Sequence, residues 1–213
     1  MVVEARLPSP DGEAPQDHYV HFYGITWADY QKMQEIRGER RRPKIAYLNG
    51  TLELVTTSRT HERIKSWLGR LVEAWCLKRE VEFGPYGEWT LEDDAKEVAA
   101  EPDECYIFGA DQESKDRPDL VIEAVLTSGG IRKLEIYYAL RIPEVWFWKK
   151  DRIQVYARRD ADYEAVAASE LLPGLDVEEL LRFLDRPSAS RAIRDYRSAL
   201  RERSRSTPKA RDE

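Results

Sequence analysis

The chain has 213 residues, 42% hydrophobic and 35% charged, with a formal net charge of −6. This length predicts one compact domain with polar ends and argues against a second independent one. No apolar run approaches the ~20 residues that span a bilayer, and the start, MVVEARLPSPDGEAPQD, has acids and no sustained apolar stretch, so a cytoplasmic protein with no membrane association is expected.

The negative charge weighs mildly against contact with phosphate backbones, but it is unevenly spread. Residues 186–213 carry +5 and the rest of the chain −11; residues 91–104 hold seven acids against Lys96 alone; a basic run, RGERRRPK, covers 37–44. The two cysteines, Cys76 and Cys105, form no CxxC pair and read as core thiols of a reducing compartment.

Residues 1–24 contain three prolines and no clear period, which predicts a loose leader. Thr26 and Asp29 resemble a helix start, with Trp27, Tyr30, Met33 and Gln34 at helical spacing before Gly38. KIAYLNGTLELVT has two alternating apolar runs around Asn49-Gly50, the dipeptide of a tight hairpin. Over 60–79, Ile64, Trp67, Leu68, Leu71, Val72 and Trp75 recur at three and four, predicting an amphipathic helix on a sheet. VEFGPYGEWTLED reads as an extended segment broken by glycines, and DDAKEVAAEP as an exposed acidic connection. ECYIFG and PDLVIEAVL read as strands, IRKLEIYYALR as a helix, then EVWFW, RIQVYAR and YEAVAA as strands and LDVEELLRFL as a short helix. The Arg- and Ser-rich end, 186–213, is expected to be a basic tail, partly helical and disordered. This order gives an α+β fold with a central mixed sheet flanked by helices and an N-terminal β-hairpin.

In PDLVIEAVL, Leu120, Ile122, Ala124 and Leu126 share one strand face, and Asp119, Val121, Glu123 and Val125 the other. A carboxylate in a strand that looks buried on both sides costs several kcal/mol unless paired, so Glu123 calls for a cation, a metal or a hydrogen-bond network; an edge strand with one wet face is the alternative. A turn centred near Glu113 pairs residues whose numbers sum to about 226, which sets Asp103 across from Glu123 and Asp119 at the turn end. Two like charges at that spacing repel, an arrangement suited to a divalent cation with oxygen ligands, magnesium or manganese. Lys133, in the first turn of the next helix, can point back at Glu123, or it is a surface lysine lying along a half-buried helix.

The run EPDECYIFG, then RPDLVIEAVLTSGGIRKLEIYYALRIPEVWFW, then RIQVYARR resembles the Uma-two family of restriction-endonuclease-like proteins, over roughly residues 25–185. The resemblance implies the PD-(D/E)xK nuclease fold and cleavage of DNA phosphodiester bonds with a magnesium-type cofactor. Pro102-Asp103 matches the PD element and Glu123 the second acid, with Asp119 in its own Pro-Asp pair; Val125 stands where the superfamily motif has lysine, and Lys133 matches superfamily members whose lysine has migrated to the next helix. Glu73 resembles the extra helix acid of some such nucleases, or is an ordinary flank of an amphipathic helix.

His61 reads more readily as a capping or packing residue than as a general base. The aromatic run Trp146 to Trp148 reads as core before base-stacking platform, and Arg40, Arg41, Arg42 and Lys44 as a solvated turn that would suit phosphate contact beside a metal site. The expected activity is a metal-dependent endonuclease, with Asp103 and Glu123, joined by Asp119, holding magnesium and Lys133 assisting. Cutting both strands favours a homodimer. Two alternatives stand beside it: an inactive module of the same fold that binds nucleic acid or protein, and a hydrolase of small phosphoesters.

Overall fold

The computed structural model describes residues 2–5, 16–127 and 130–206. Of the leader expected over 1–24, two pieces are strands, β1 (Val2–Ala5) and β2 (His18–Tyr23), which pair antiparallel; residues 6–15 lie outside the described residues. HYVHFY alternates as a strand should, but its polar histidines and tyrosines hide the apolar period from which strands are read. α1 (Trp27–Arg37) starts at the predicted place, where Thr26 accepts a hydrogen bond from the Asp29 amide and the Asp29 carboxylate accepts one from the Thr26 amide, so that two donors otherwise left unpaired are satisfied.

β3 (Lys44–Leu48) and β4 (Thr51–Thr56) form the expected hairpin, with Asn49 and Gly50 at φ of 48° and 76°, the left-handed conformations of a two-residue turn. The hairpin is the centre of a larger antiparallel sheet, ordered β1-β2-β4-β3-β7-β6, in which β6 is Leu91–Asp93 and β7 is Val98–Ala100. The acidic connection expected over 93–102 is thus confined to one turn. Val98, Ala99 and Ala100 are buried because small apolar side chains fit a strand held between two neighbours.

The second sheet is mixed. Its order is β12-β11-β10-β9-β8-β5, from β5 (Phe83–Pro85), β8 (Glu104–Phe108), β9 (Leu120–Ala124), β10 (Glu144–Lys149), β11 (Arg152–Arg158) and β12 (Tyr163–Val166). β9 and β10 run parallel, joined through α3 (Lys133–Ala139); the other pairs are antiparallel. A parallel pair needs such a crossover, and here it brings the start of α3 back over the end of β9.

Helices cover one face of this sheet. Leu120, Ile122 and Ala124 pack there with Trp146 and Trp148 against α2 (Arg59–Arg79), α4 (Val177–Leu181) and α5 (Ala189–Ser206). Val121 and Val145 face the other way, onto Ile136 and Tyr137 of α3 and Ala46 and Leu48 of the first sheet. Trp27 and Tyr30 of α1 close the far side of that sheet over Ile45, Tyr47 and Leu52. Residues 189–206, expected within a polar tail, are therefore a structural helix: Ala192, Tyr196 and Leu200, each four apart, are buried in the core around α2. The end of that tail, 207–213, lies outside the described residues.

Cys76 and Cys105 are buried free thiols, which burial pushes up to about 12. Among the described residues no helix is long and apolar enough to cross a membrane.

Candidate active site

The register of β8 and β9 pairs Glu104 with Ile122 and Cys105 with Val121, the sum of 226 expected from the sequence. Asp103, one residue ahead of β8, therefore arrives opposite Glu123. It is anchored there by the Ala124 amide, which donates to Oδ2 at 2.7 Å. Strand alternation turns Asp103 and Glu123 toward α3 and the first sheet, and both are almost fully buried, at 1% and 2% exposure.

Each carboxylate has a cation. Lys133 Nζ lies 2.7 Å from Glu123 Oε2, and the Tyr137 hydroxyl donates to Oε1. Lys133 and Tyr137 are four residues apart and so share the helix face turned to the strand. Asp103 is held by a residue the sequence reading left in a solvated turn: Lys44, at the start of β3, is buried with Nζ 2.5 Å from Oδ1 and 3.0 Å from the Pro102 carbonyl. His61, in the first turn of α2, stands between two acids, with Nδ1 2.7 Å from Asp17 Oδ2 and Nε2 2.9 Å from Asp103 Oδ2.

The strand ahead of α1 supplies more of the wall. Asp17 accepts from the Ser58 amide at 2.8 Å, Tyr19 lines the same cavity, and His21 pairs in register with Glu53 of β4, its Nε2 2.7 Å from Glu53 Oε2. Glu53 is fully buried and also accepts from the Ile131 amide at 2.6 Å. The cavity measures about 530 Å³ and holds Lys44, His61, Asp103, Glu123 and Lys133 together.

Electrostatics separate the two carboxylates. Burial works to raise Asp103, but Lys44 and His61 outweigh it and hold the group well below the usual carboxylate range. Burial raises Glu123, with the Asp103 charge adding to that and Lys133 opposing it, as expected of neighbouring acids that share one site. Burial would lower His61; its contacts to Asp103 and Asp17 reverse this and raise it to about 9. Lys133 is likewise raised, since the attraction of Glu123 and Asp103 exceeds the cost of burial, so its ammonium is charged at neutral pH.

Two expected ligands lie elsewhere. Asp119 sits at the opposite end of β9, where its Oδ2 accepts from the Phe108 amide at 2.8 Å and from Lys115 Nζ at 2.7 Å; four residues along a strand is about 13 Å, so its placement near the turn separates it from Glu123. Glu73 faces the helical side of β8, 3.4 Å from the Tyr106 hydroxyl, because Tyr106 and Asp103 point to opposite faces. The arginine run divides as well: Arg42 pairs with Glu62 and Glu88, while Arg40 and Arg41 line a separate cleft of about 680 Å³.

Glu104 gives a pH signature. Burial, with the Asp103 and Glu73 charges adding to it, lifts its pKa from 4.5 to about 7. The native state then binds the extra proton between those values, so stability falls as pH rises from about 4.5 to 7, by on the order of 2 kcal/mol. Urea unfolding midpoints are expected to drop across this window, and Glu104→Gln to flatten the drop; an unchanged slope would count against this burial.

The fold and the site define an α+β core whose mixed sheet brings two carboxylates and a helix-borne lysine to one cavity. Residues 27–187 match the model of the Uma2 family, described as "Putative restriction endonuclease", and the chain belongs to that family. A solved structure described as a "putative nuclease belonging to DUF820", from Anabaena variabilis, is similar over 83% of this chain and 99% of that one, at 16% identity and a TM-score of 0.45. No curated protein matches the chain.

Proposed function

We propose that the protein is a divalent-metal-dependent endonuclease that hydrolyses DNA phosphodiester bonds at the cavity of Asp103, Glu123 and Lys133. The observation that carries this reading is the convergence of the three groups: Glu123 opposite Asp103 across one hairpin, and Lys133 at 2.7 Å from Glu123 although it sits on the next element. The Lys133–Glu123 pair alone serves stability in either reading, since a buried carboxylate needs a cation; what favours the enzyme over the binding module is that the pair lines the same pocket as Asp103.

The donor chemistry fits a magnesium or manganese ion held by Asp103 and Glu123. Among the described residues no three acidic, histidine or cysteine side chains gather as a closed cage, but magnesium is commonly bound through one or two carboxylates, with water and substrate phosphate oxygens completing the shell. When bound there, the cation supplies Lewis-acid polarisation of the phosphate and a more acidic water.

The chain's own groups divide the remaining work. Lys44 and His61 keep Asp103 ionised, and Tyr137 fixes the rotation of Glu123. Lys133 directs its ammonium at the phosphate, where it orients the attacking water and offsets the negative charge that grows as the phosphorus–oxygen bond breaks. Cleavage is expected to require added magnesium or manganese and to stop with EDTA; cleavage undiminished by EDTA would overturn the reading.

A further inference from the structure

The catalytic groups line a half-open pocket between the two sheets. The first sheet contributes Tyr19, Lys44, Glu53 and Val55 to its wall, the second Phe147 and Lys149, and the start of α3 closes the end. Lys44, His61, Asp103 and Glu123 are each no more than 3% exposed. A volume of about 530 Å³ is that of a pocket which buries a single small ligand. Because the catalytic groups are nearly buried, a flexible single strand reaches them with less distortion than a duplex, whose phosphates lie on a stiff rod.

The walls have the chemistry of a base-binding site. Tyr19 on one side and Phe147 and Tyr163 on the second sheet are half-buried rings that line the pocket. Phe147 lies in register beside Glu123, which puts its ring one strand away from the reacting end. Lys149 and Arg132 are exposed at the edge, where they suit the phosphates on either side of a bound nucleotide. β2, which supplies Tyr19, precedes residue 27, where the family match begins.

Building on the nuclease reading above, we propose that this pocket takes one unpaired nucleotide, its base against Tyr19, Phe147 and Tyr163 and its phosphate at Asp103, Glu123 and Lys133, so that the substrate is single-stranded DNA or an unpaired stretch within a duplex. Unpairing a base costs a few kcal/mol, a cost that single-stranded substrate avoids, and each base–aromatic stack returns about 1–3 kcal/mol.

The test uses the full chain and fluorescein-labelled 20-mers, single-stranded, fully duplex, and duplex with a central unpaired loop. Binding is read by anisotropy with EDTA and cleavage with magnesium or manganese. The expected result is at least tenfold tighter binding of the single strand than of the duplex, with cuts confined to the single strand and the loop. Phe147→Leu, which keeps apolar volume but removes the ring, is expected to weaken single-strand binding roughly fivefold or more, with a normal unfolding midpoint. Preferred binding and cutting of the intact duplex would overturn the proposal and leave the nuclease reading standing. Preferred single-strand binding without cutting under any cation would support the pocket and remove the nuclease. Binding of neither form, together with no cutting of any substrate under magnesium or manganese, would overturn both.

Discussion

Replacing Lys44 with alanine is expected to lower folding stability by roughly 3–5 kcal/mol. The ammonium is 2.5 Å from Asp103 Oδ1, and both groups are buried. Without it the carboxylate remains in the interior, offset in part by His61, the Ala124 amide and the charge of Lys133, and the penalty for an under-compensated buried ion exceeds the net worth of the pair itself. The urea midpoint at pH 7 measures this. Lys44→Met combined with Asp103→Asn is expected to recover most of the loss, since a neutral pair has no charge to compensate, while cleavage stays abolished. A loss below about 1 kcal/mol for Lys44→Ala would mean that Asp103 does not depend on this partner.

Lys133→Ala is expected to reduce the rate of cleavage about 10²–10³-fold, the size seen when a group opposing transition-state charge is removed. Metal affinity should survive. Lys133 competes with a cation for Glu123 Oε2, so its loss leaves Asp103 and Glu123 facing each other with less neutralisation and no fewer oxygen ligands. Single-turnover kinetics beside calorimetric manganese titration separate these effects. A variant that loses metal binding along with activity would instead assign Lys133 to shaping the carboxylates, and a variant that cuts at the normal rate would remove it from the site.

The half of the site carried by local pattern was legible in the sequence. Alternation along PDLVIEAVL separates the faces as observed, with Leu120, Ile122 and Ala124 in the helical core and Val121 on the α3 side. The connection between β8 and β9 covers residues 109–119 with a short 3-10 helix inside it, and centring the turn near Glu113 was enough to set Asp103 opposite Glu123. Asn49-Gly50 and the Thr26 cap work in the same way, since each acts within a few residues.

What escaped the sequence reading depends on distant pairing. Lys44 meets Asp103 across 59 residues and His61 meets Asp17 across 44. A charged residue at the edge of a strand looks solvated until the fold supplies its partner. Glu53 carried a usable signal, because Leu52 and Leu54 flank it in a strand and its own face also bears Val55; an acid on that face is costly to bury unpaired. Asp119 shows the opposite failure, in which a Pro-Asp dipeptide with the right look proves to hold a turn through Phe108 and Lys115.

The most direct measurement is cleavage of a circular single-stranded DNA and a supercoiled plasmid by the protein and by Glu123→Gln, purified identically, with magnesium, manganese or EDTA. The account predicts metal-dependent cutting by the protein, absent with EDTA, and a loss of at least 10²-fold in Glu123→Gln with the fold intact by circular dichroism. Equal cutting by both proteins, or no cutting by the protein with either cation, would contradict a metal-dependent nuclease built on Asp103, Glu123 and Lys133.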